Sequence, residues 1–217
     1  PVDLVDLSVA IDAAATAVAS LAPIDNPASA PGTTLSGVMV LRTAEGPYWL
    51  SFNVGDSRVY VVGGGGIRQL THDHSALQEA RDLSATSGAP RLIPPANVVT
   101  KALGAGQAGS VKADYTIMPL EEGDRAVICT DGVHGVLRDS QIHAVVAAGD
   151  GPQGTADALV RASLELGTRD NTTVVVVYAG TKSRITLTSD VMNRMIQPVR
   201  PASIETARRV PRREGSN

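Results

Sequence analysis

The segment "RAVICTDGVHGVL", residues 125–137, decides how the chain is laid out. Residues 125–130 form a short apolar run suited to a buried strand, and it stops at an acid followed by glycine. A carboxylate at the mouth of a buried strand is either a turn former or a ligand. Upstream, a second strand-like run, "VKADYTIM" (111–118), is joined to it through the tight turn "EEGD" (121–124). Downstream come two helical patterns, "SQIHAVVAA", with Asp139 or Ser140 as N-cap, and "PQGTADALVRASLELG", which ends on Gly167 as a C-cap. Strands paired as hairpins and helices in consecutive pairs predict an α+β architecture of antiparallel sheets, not a doubly wound parallel sheet.

The same pattern continues outward. Residues 3–21 read as a helix, with Leu4, Leu7, Ala10, Ile11, Ala14 and Val18 at three- and four-residue spacing. The proline-rich link 22–32 ends it. Then follow the strand-like runs "SGVMVLR", "PYWLSFNVG" and "RVYVV", a glycine hairpin tip at 63–66, and "IRQLT". Residues 74–83 form a short helix with Asp73 or Ser75 as N-cap, which with packing accounts for His72 and His74. The turn-rich segment 84–97 reads as a mobile flap. "NTTVVVVYAG" is a last strand whose valines alternate onto two faces, both expected to be buried.

The chain has 217 residues and only six aromatics, so its core must rest on aliphatic side chains. Charge is uneven: residues 181–217 carry eight Lys/Arg against three Asp/Glu, and the rest 11 against 19. Two parts are expected, a domain over 1–180 and a basic, disordered tail over 181–217. An acidic body argues against nucleic acid and suits hard cations. The lone Cys129 excludes an internal disulfide, and it reads as a buried strand residue rather than a reactive thiol. No apolar run is long enough for a membrane helix, and a cytoplasmic location is expected.

Three acids share a setting at the ends of apolar runs: Asp56 in "NVGDSR", Asp131, and Asp170 in "GTRDN". If those strands are neighbours, the carboxylates meet at one rim. Like charges held close raise one another's pKa, and a cation relieves both that repulsion and the cost of burial. All-oxygen donors favour Mg²⁺ or Mn²⁺ over zinc. For any one of these acids alone, a plain turn is the commoner role.

"NVGDSRVYVV", "GDRAVICTDGVHGVL" and "GTRDNTTVVVV" occur in this order, and "GTTLSGVMV" and "NVVTKALG" accompany them. Together they resemble the PP2C, or PPM, family of metal-dependent serine/threonine phosphatases in its bacterial form, over about residues 8–179. The resemblance implies an αββα sandwich, two antiparallel sheets flanked by helices. It implies two core metals, Mn²⁺ or Mg²⁺, and possibly a third. Asp131 and Asp170 resemble ligands of one core metal, and Asp56 resembles an acid of the third. Gly132 would let the backbone turn away from the ligand, and Asn171 would hold the loop around Asp170. The implied reaction is hydrolysis of phosphoserine or phosphothreonine by a metal-activated water. The implied partners are phosphoproteins, a Ser/Thr kinase or its substrates.

The chain also departs from the family's pattern. The N-terminal acid strand, with its phosphate-binding arginine, and the "DGMGG"-like segment that supplies a bridging aspartate are absent from it, and Gly135 stands where many relatives have another acid. The chain is therefore expected to be an N-terminally incomplete domain, inactive by itself. The rival expectation is a pseudophosphatase, a PP2C-like module that binds without hydrolysing. His134, beside Asp131, is either a proton donor or a plain loop residue.

Overall fold

A computed structural model of the chain describes residues 4–23, 30–87, 93–95, 97–105 and 111–180. Parts of the proline-rich link and of the 84–97 flap, and all of the 181–217 tail, lie outside the described residues. The elements run α1 (Leu4–Ala19), β1 (Gly32–Thr33), β2 (Leu35–Thr43), β3 (Gly46–Val54), β4 (Arg58–Gly63), β5 (Gly66–Gln69) and α2 (Ala76–Ser87). They continue with β6 (Leu103–Gly104), β7 (Asp114–Pro119), β8 (Arg125–Cys129), α3 (Asp131–His134), α4 (Asp139–Ala148), α5 (Pro152–Glu165) and β9 (Val174–Tyr178).

Among the described residues the strands form three antiparallel sheets: β2-β3-β7, β5-β4-β8-β9, and the short pair β1-β6. Strand periodicity assigns each residue to a layer. In β4, Val59 and Val61 face the other sheet with Trp49, Leu70 and Ala126, while Tyr60 and Val62 face the helices. On that helical side Ile142, Val146 and Leu159, from α4 and α5, are fully buried against Val127 and Cys129. In β3, Trp49 looks into the sandwich, whereas Phe52 and Val54 pack outward on Ile11 and Ala15 of α1. The order of layers is helix, sheet, sheet, helix, the αββα sandwich read from the sequence. Truncating Ile142 or Leu159 to Ala would cost about 2–5 kcal/mol, because neither cavity opens to solvent.

Trp49, the only tryptophan, is buried and donates its indole N–H to Asp124 Oδ2 at 3.0 Å. The same oxygen accepts the Glu121 backbone N–H at 3.0 Å. The turn before β8 is thereby fastened to the neighbouring sheet, and its bend is taken by Gly123 at φ +88°.

Two local expectations are corrected, and a third, left open between two residues, is decided. The valines of β9 are not buried on both faces: Val175 is 52% and Val177 36% exposed. β9 is an edge strand, and β2 lies over β4 and β8, leaving β9 beyond the overlap of the sheets. Ser75, not Asp73, caps α2, its Oγ accepting the Gln78 N–H at 3.2 Å; Asp73 is taken by Arg58. Neither Asp139 nor Ser140 caps α4. The N-cap is Arg138, whose backbone N–H donates to Gln141 Oε1 at 3.0 Å, so Gln141 supplies the capping acceptor. α5 does end as expected, with Gly167 at φ +77° donating to Leu164 O. Among the described residues no helix is long and apolar enough to cross a membrane.

Candidate metal centre

β3 ends at Val54, and the chain turns through Gly55 (φ +110°) to present Asp56 before β4 begins. Glycine is needed for that φ, and a β-carbon there would also collide with Thr34. The turn is held from several sides. Buried Asn53 donates from Nδ2 to Gly55 O (2.9 Å) and His72 O (3.1 Å) and accepts from Ser36 Oγ. His74 grips Gly55 twice: its backbone N–H donates to Gly55 O (2.9 Å), and its Nδ1 accepts the Gly55 N–H (3.0 Å).

That second bond fixes the tautomer. With Nδ1 accepting, the His74 proton sits on Nε2 and donates to Asp114 Oδ2 at 3.0 Å. Lys101 Nζ donates to Asp114 Oδ1, also at 3.0 Å. Burial opposes ionisation of Asp114, but the hydrogen bonds from His74 and Lys101 prevail and hold its carboxyl below the usual range. His74 therefore does more than pack beside a helix cap. It braces the Asp56 turn against β7, the strand beside β3.

Asp131 opens the short α3 directly after β8. Asp56 and Asp131 line one cleft of about 330 Å³, together with Arg58, Asp73, Arg81 and His134. The Arg58 guanidinium is committed elsewhere, and its charge is only the last and smallest influence on Asp56. Its Nε and Nη2 form a fork onto Asp73 at 2.9 and 2.7 Å, and its Nη1 donates to Tyr60 OH at 3.0 Å. Burial works against the Arg58 charge, yet these bonds more than compensate and raise its pKa. His134 donates from Nε2 to the Asp56 carbonyl at 3.0 Å. Burial, then the nearby Arg58 charge, lowers its pKa, so His134 is a neutral clamp on the turn at pH 7.

Burial, and after it the Asp131 charge, raises the Asp56 pKa. Neither carboxylate has a cationic side-chain partner within salt-bridge distance among the described residues. Two facing carboxylates at one rim, one of them buried, are the donor chemistry that a hard divalent cation satisfies.

Asp170 lies on the adjoining loop. Its Oδ1 accepts the Asn171 N–H at 2.7 Å, and it does not line the cleft. Among the described residues no group of three His, Cys, Asp or Glu side chains is close enough to hold a metal. The loop itself is locked to the Asp131 strand: Thr130 Oγ1 donates to Asn171 O and accepts the Thr173 N–H, both at 3.1 Å. Asn171 thus holds the loop through its backbone. Gly132 is required for space rather than for a turn, since a β-carbon there would run into the Asn171 carbonyl.

The sequence reading missed the bracing residues Asn53, His74 and Arg58–Asp73. A signal existed for one of them. Ser51 and Asn53 alternate with Trp49 on the face of β3 turned into the sandwich, where an amide must find buried partners.

No family model matches the chain. A PPM Ser-Thr phosphatase from Mycobacterium smegmatis, MsPP, is 31% identical, with a TM-score of 0.66 over 82% of this chain and 75% of that one. The catalytic domain of the phosphatase PstP, solved with two manganese ions, is 28% identical, with a TM-score of 0.65 over 80% and 70% of the two chains. Among curated proteins, the serine/threonine phosphatase Stp of Listeria welshimeri is 28% identical over 147 residues, 67% of this chain and 56% of that protein. The chain belongs to the PP2C-type, or PPM, family of serine/threonine phosphatases. It spans just over half the length of the curated relatives it matches.

Proposed function

We propose that the protein is a metal-dependent serine/threonine phosphatase that hydrolyses phosphoserine and phosphothreonine in proteins, with the domain over 1–180 carrying the site. Asp56 and Asp131 hold Mn²⁺ or Mg²⁺ in the cleft, and Asp170 joins them from the adjoining loop. The reading rests on one observation above all: two acids brought to one rim at the ends of neighbouring strands, β4 and β8, with no cationic side chain within salt-bridge distance of either among the described residues. The manganese-bound PstP relative supports the choice of metal. When bound, the metal supplies a polarised water and charge to balance the phosphoryl oxygens. The residues of this chain aim the acids. His74 and Asn53 fix the Asp56 turn, His134 clamps its carbonyl, and Thr130 and Gly132 seat the Asp170 loop against Asp131. The partners on this reading are a Ser/Thr kinase or its substrates in the cytoplasm. Cys129 agrees with a reducing compartment: burial pushes its thiol up to about 12, leaving it unreactive and unpaired.

The test is Mn²⁺-dependent release of phosphate from a phosphothreonine peptide by the protein expressed from its native reading frame. Turnover should fall by about 10²-fold or more in Asp131→Asn, the scale of losing an electrostatic contributor to the transition state. Turnover no higher than that of the variant would remove the enzyme reading and leave the binding module.

A further inference from the structure

The cleft has a second wall. α2 contributes Leu77 and Arg81, one helical turn apart and therefore on the same side of the helix. Arg81 is exposed, and the residues three and four places from it are Leu77, Gln78, Ser84 and Ala85, none of them acidic. The neighbouring acid, Asp82, is already engaged by Gln78 Nε2 and His72 Nε2, both at 2.8 Å. Arg81 has no salt bridge to any described residue. Of the arginines lining the cleft, Arg58 has its guanidinium taken by Asp73 and Tyr60, while the guanidinium of Arg81 bonds to none of the described residues.

A phosphomonoester dianion entering this cleft meets Asp56 and Asp131 on one side. It needs a compensating donor on the other. A free guanidinium offers paired N–H groups in the geometry that phosphoryl oxygens accept. We propose that Arg81 binds the phosphoryl group of a phosphoserine or phosphothreonine segment and orients it toward Asp56 and Asp131. The proposal rests on the phosphatase reading above for the identity of the anion. Arg81 is a substrate-binding residue on this view, and its position on α2 sets the direction from which the phosphorylated segment enters.

The experiment is isothermal titration of the full chain, in the presence of Mn²⁺, with inorganic phosphate, a phosphothreonine peptide and the same peptide unphosphorylated. Arg81→Ala keeps a good helix former at an exposed site, so folding is preserved. It should weaken phosphate and phosphopeptide by about tenfold, the scale of one charge-assisted contact. Arg81→Lys should recover part of the loss, and the unphosphorylated peptide should not bind. Arg68→Ala, in a different pocket beside Gly64 and Glu121, should behave as wild type. The proposal is overturned if Arg81→Ala binds both phosphorylated ligands as wild type does. It is also overturned if wild type binds neither, if only the peptide is weakened, or if Arg68→Ala weakens binding equally. A Mn²⁺ titration of the same samples separates the two readings. Normal metal uptake with phosphate binding indifferent to Arg81 removes only this inference. Absent metal uptake removes the metal-site reading, while any dependence of phosphate binding on Arg81 can still be read.

Discussion

β8 carries an acid at each end, and the two acids have opposite surroundings. Asp124, before the strand, is buried and accepts the Trp49 indole N–H and the Glu121 backbone N–H. Gly63 leaves room for it, since a β-carbon there would strike Asp124 Oδ1. Asp131, after the strand, has no cationic partner within salt-bridge distance among the described residues and faces Asp56, whose pKa is raised by burial and by Asp131. One end spends its carboxylate on hydrogen bonds that join two sheets. The other end keeps two carboxylates unneutralised in a cleft. A buried acid whose bonds are complete is structural, and one left to repel its neighbour is poised for a ligand.

The largest expected effect on stability is at the structural end. Asp124→Ala strands the buried Trp49 indole N–H and releases the Glu121 N–H at the turn, and should cost about 2 kcal/mol. Urea unfolding followed by Trp49 fluorescence measures it, and a loss below about 0.5 kcal/mol would contradict the structural role.

The bracing of the Asp56 turn comes next. His74→Ala removes the acceptor of the Gly55 N–H and the donor to Asp114, and should cost about 1–2 kcal/mol. It should also weaken Mn²⁺ binding about tenfold, as loss of a supporting contact usually does. Loss of stability with unchanged metal affinity would make His74 a packing residue only.

The smallest effect has the opposite sign. In metal-free protein, Asp56→Asn should raise stability by about 1 kcal/mol or less, because it relieves a buried charge facing another. The sign follows from the raised folded-state pKa of Asp56. Protonated, the group costs the fold little; as pH rises through that pKa, the folded state loses stability relative to the unfolded state, which ionises earlier. The gain from Asn should therefore be present at neutral pH and vanish below the ordinary carboxylate range. A gain that persists or grows under acid would contradict the assignment.

Much of the fold could be read from local pattern. The apolar stripe of α1, the glycine tip between β4 and β5 and the tight turn before β8 all depend on residues close in sequence. The errors arose where a distant partner decides. Asp73 looks like an N-cap until Arg58, 15 positions away, takes both its oxygens. The β9 valines look buried until the extent of the opposing sheet is known. The candidate site divides in the same way. Asp56, Asp131 and Asp170 stand out as acids at strand ends, and the first two do share a cleft. What aims them was not legible, because Ser36 to Asn53 and His74 to Gly55 are contacts made only by folding.

The most direct test is a Mn²⁺ titration of the metal-free chain, comparing wild type with Asp56→Asn, Asp131→Asn and Asp124→Asn. The account predicts that wild type and Asp124→Asn, where it folds, take up Mn²⁺ alike. Asp56→Asn and Asp131→Asn should each lose about tenfold or more in affinity, since each removes a charged ligand from a hard-cation site. Uptake that is absent from wild type, or indifferent to both cleft acids, would contradict it.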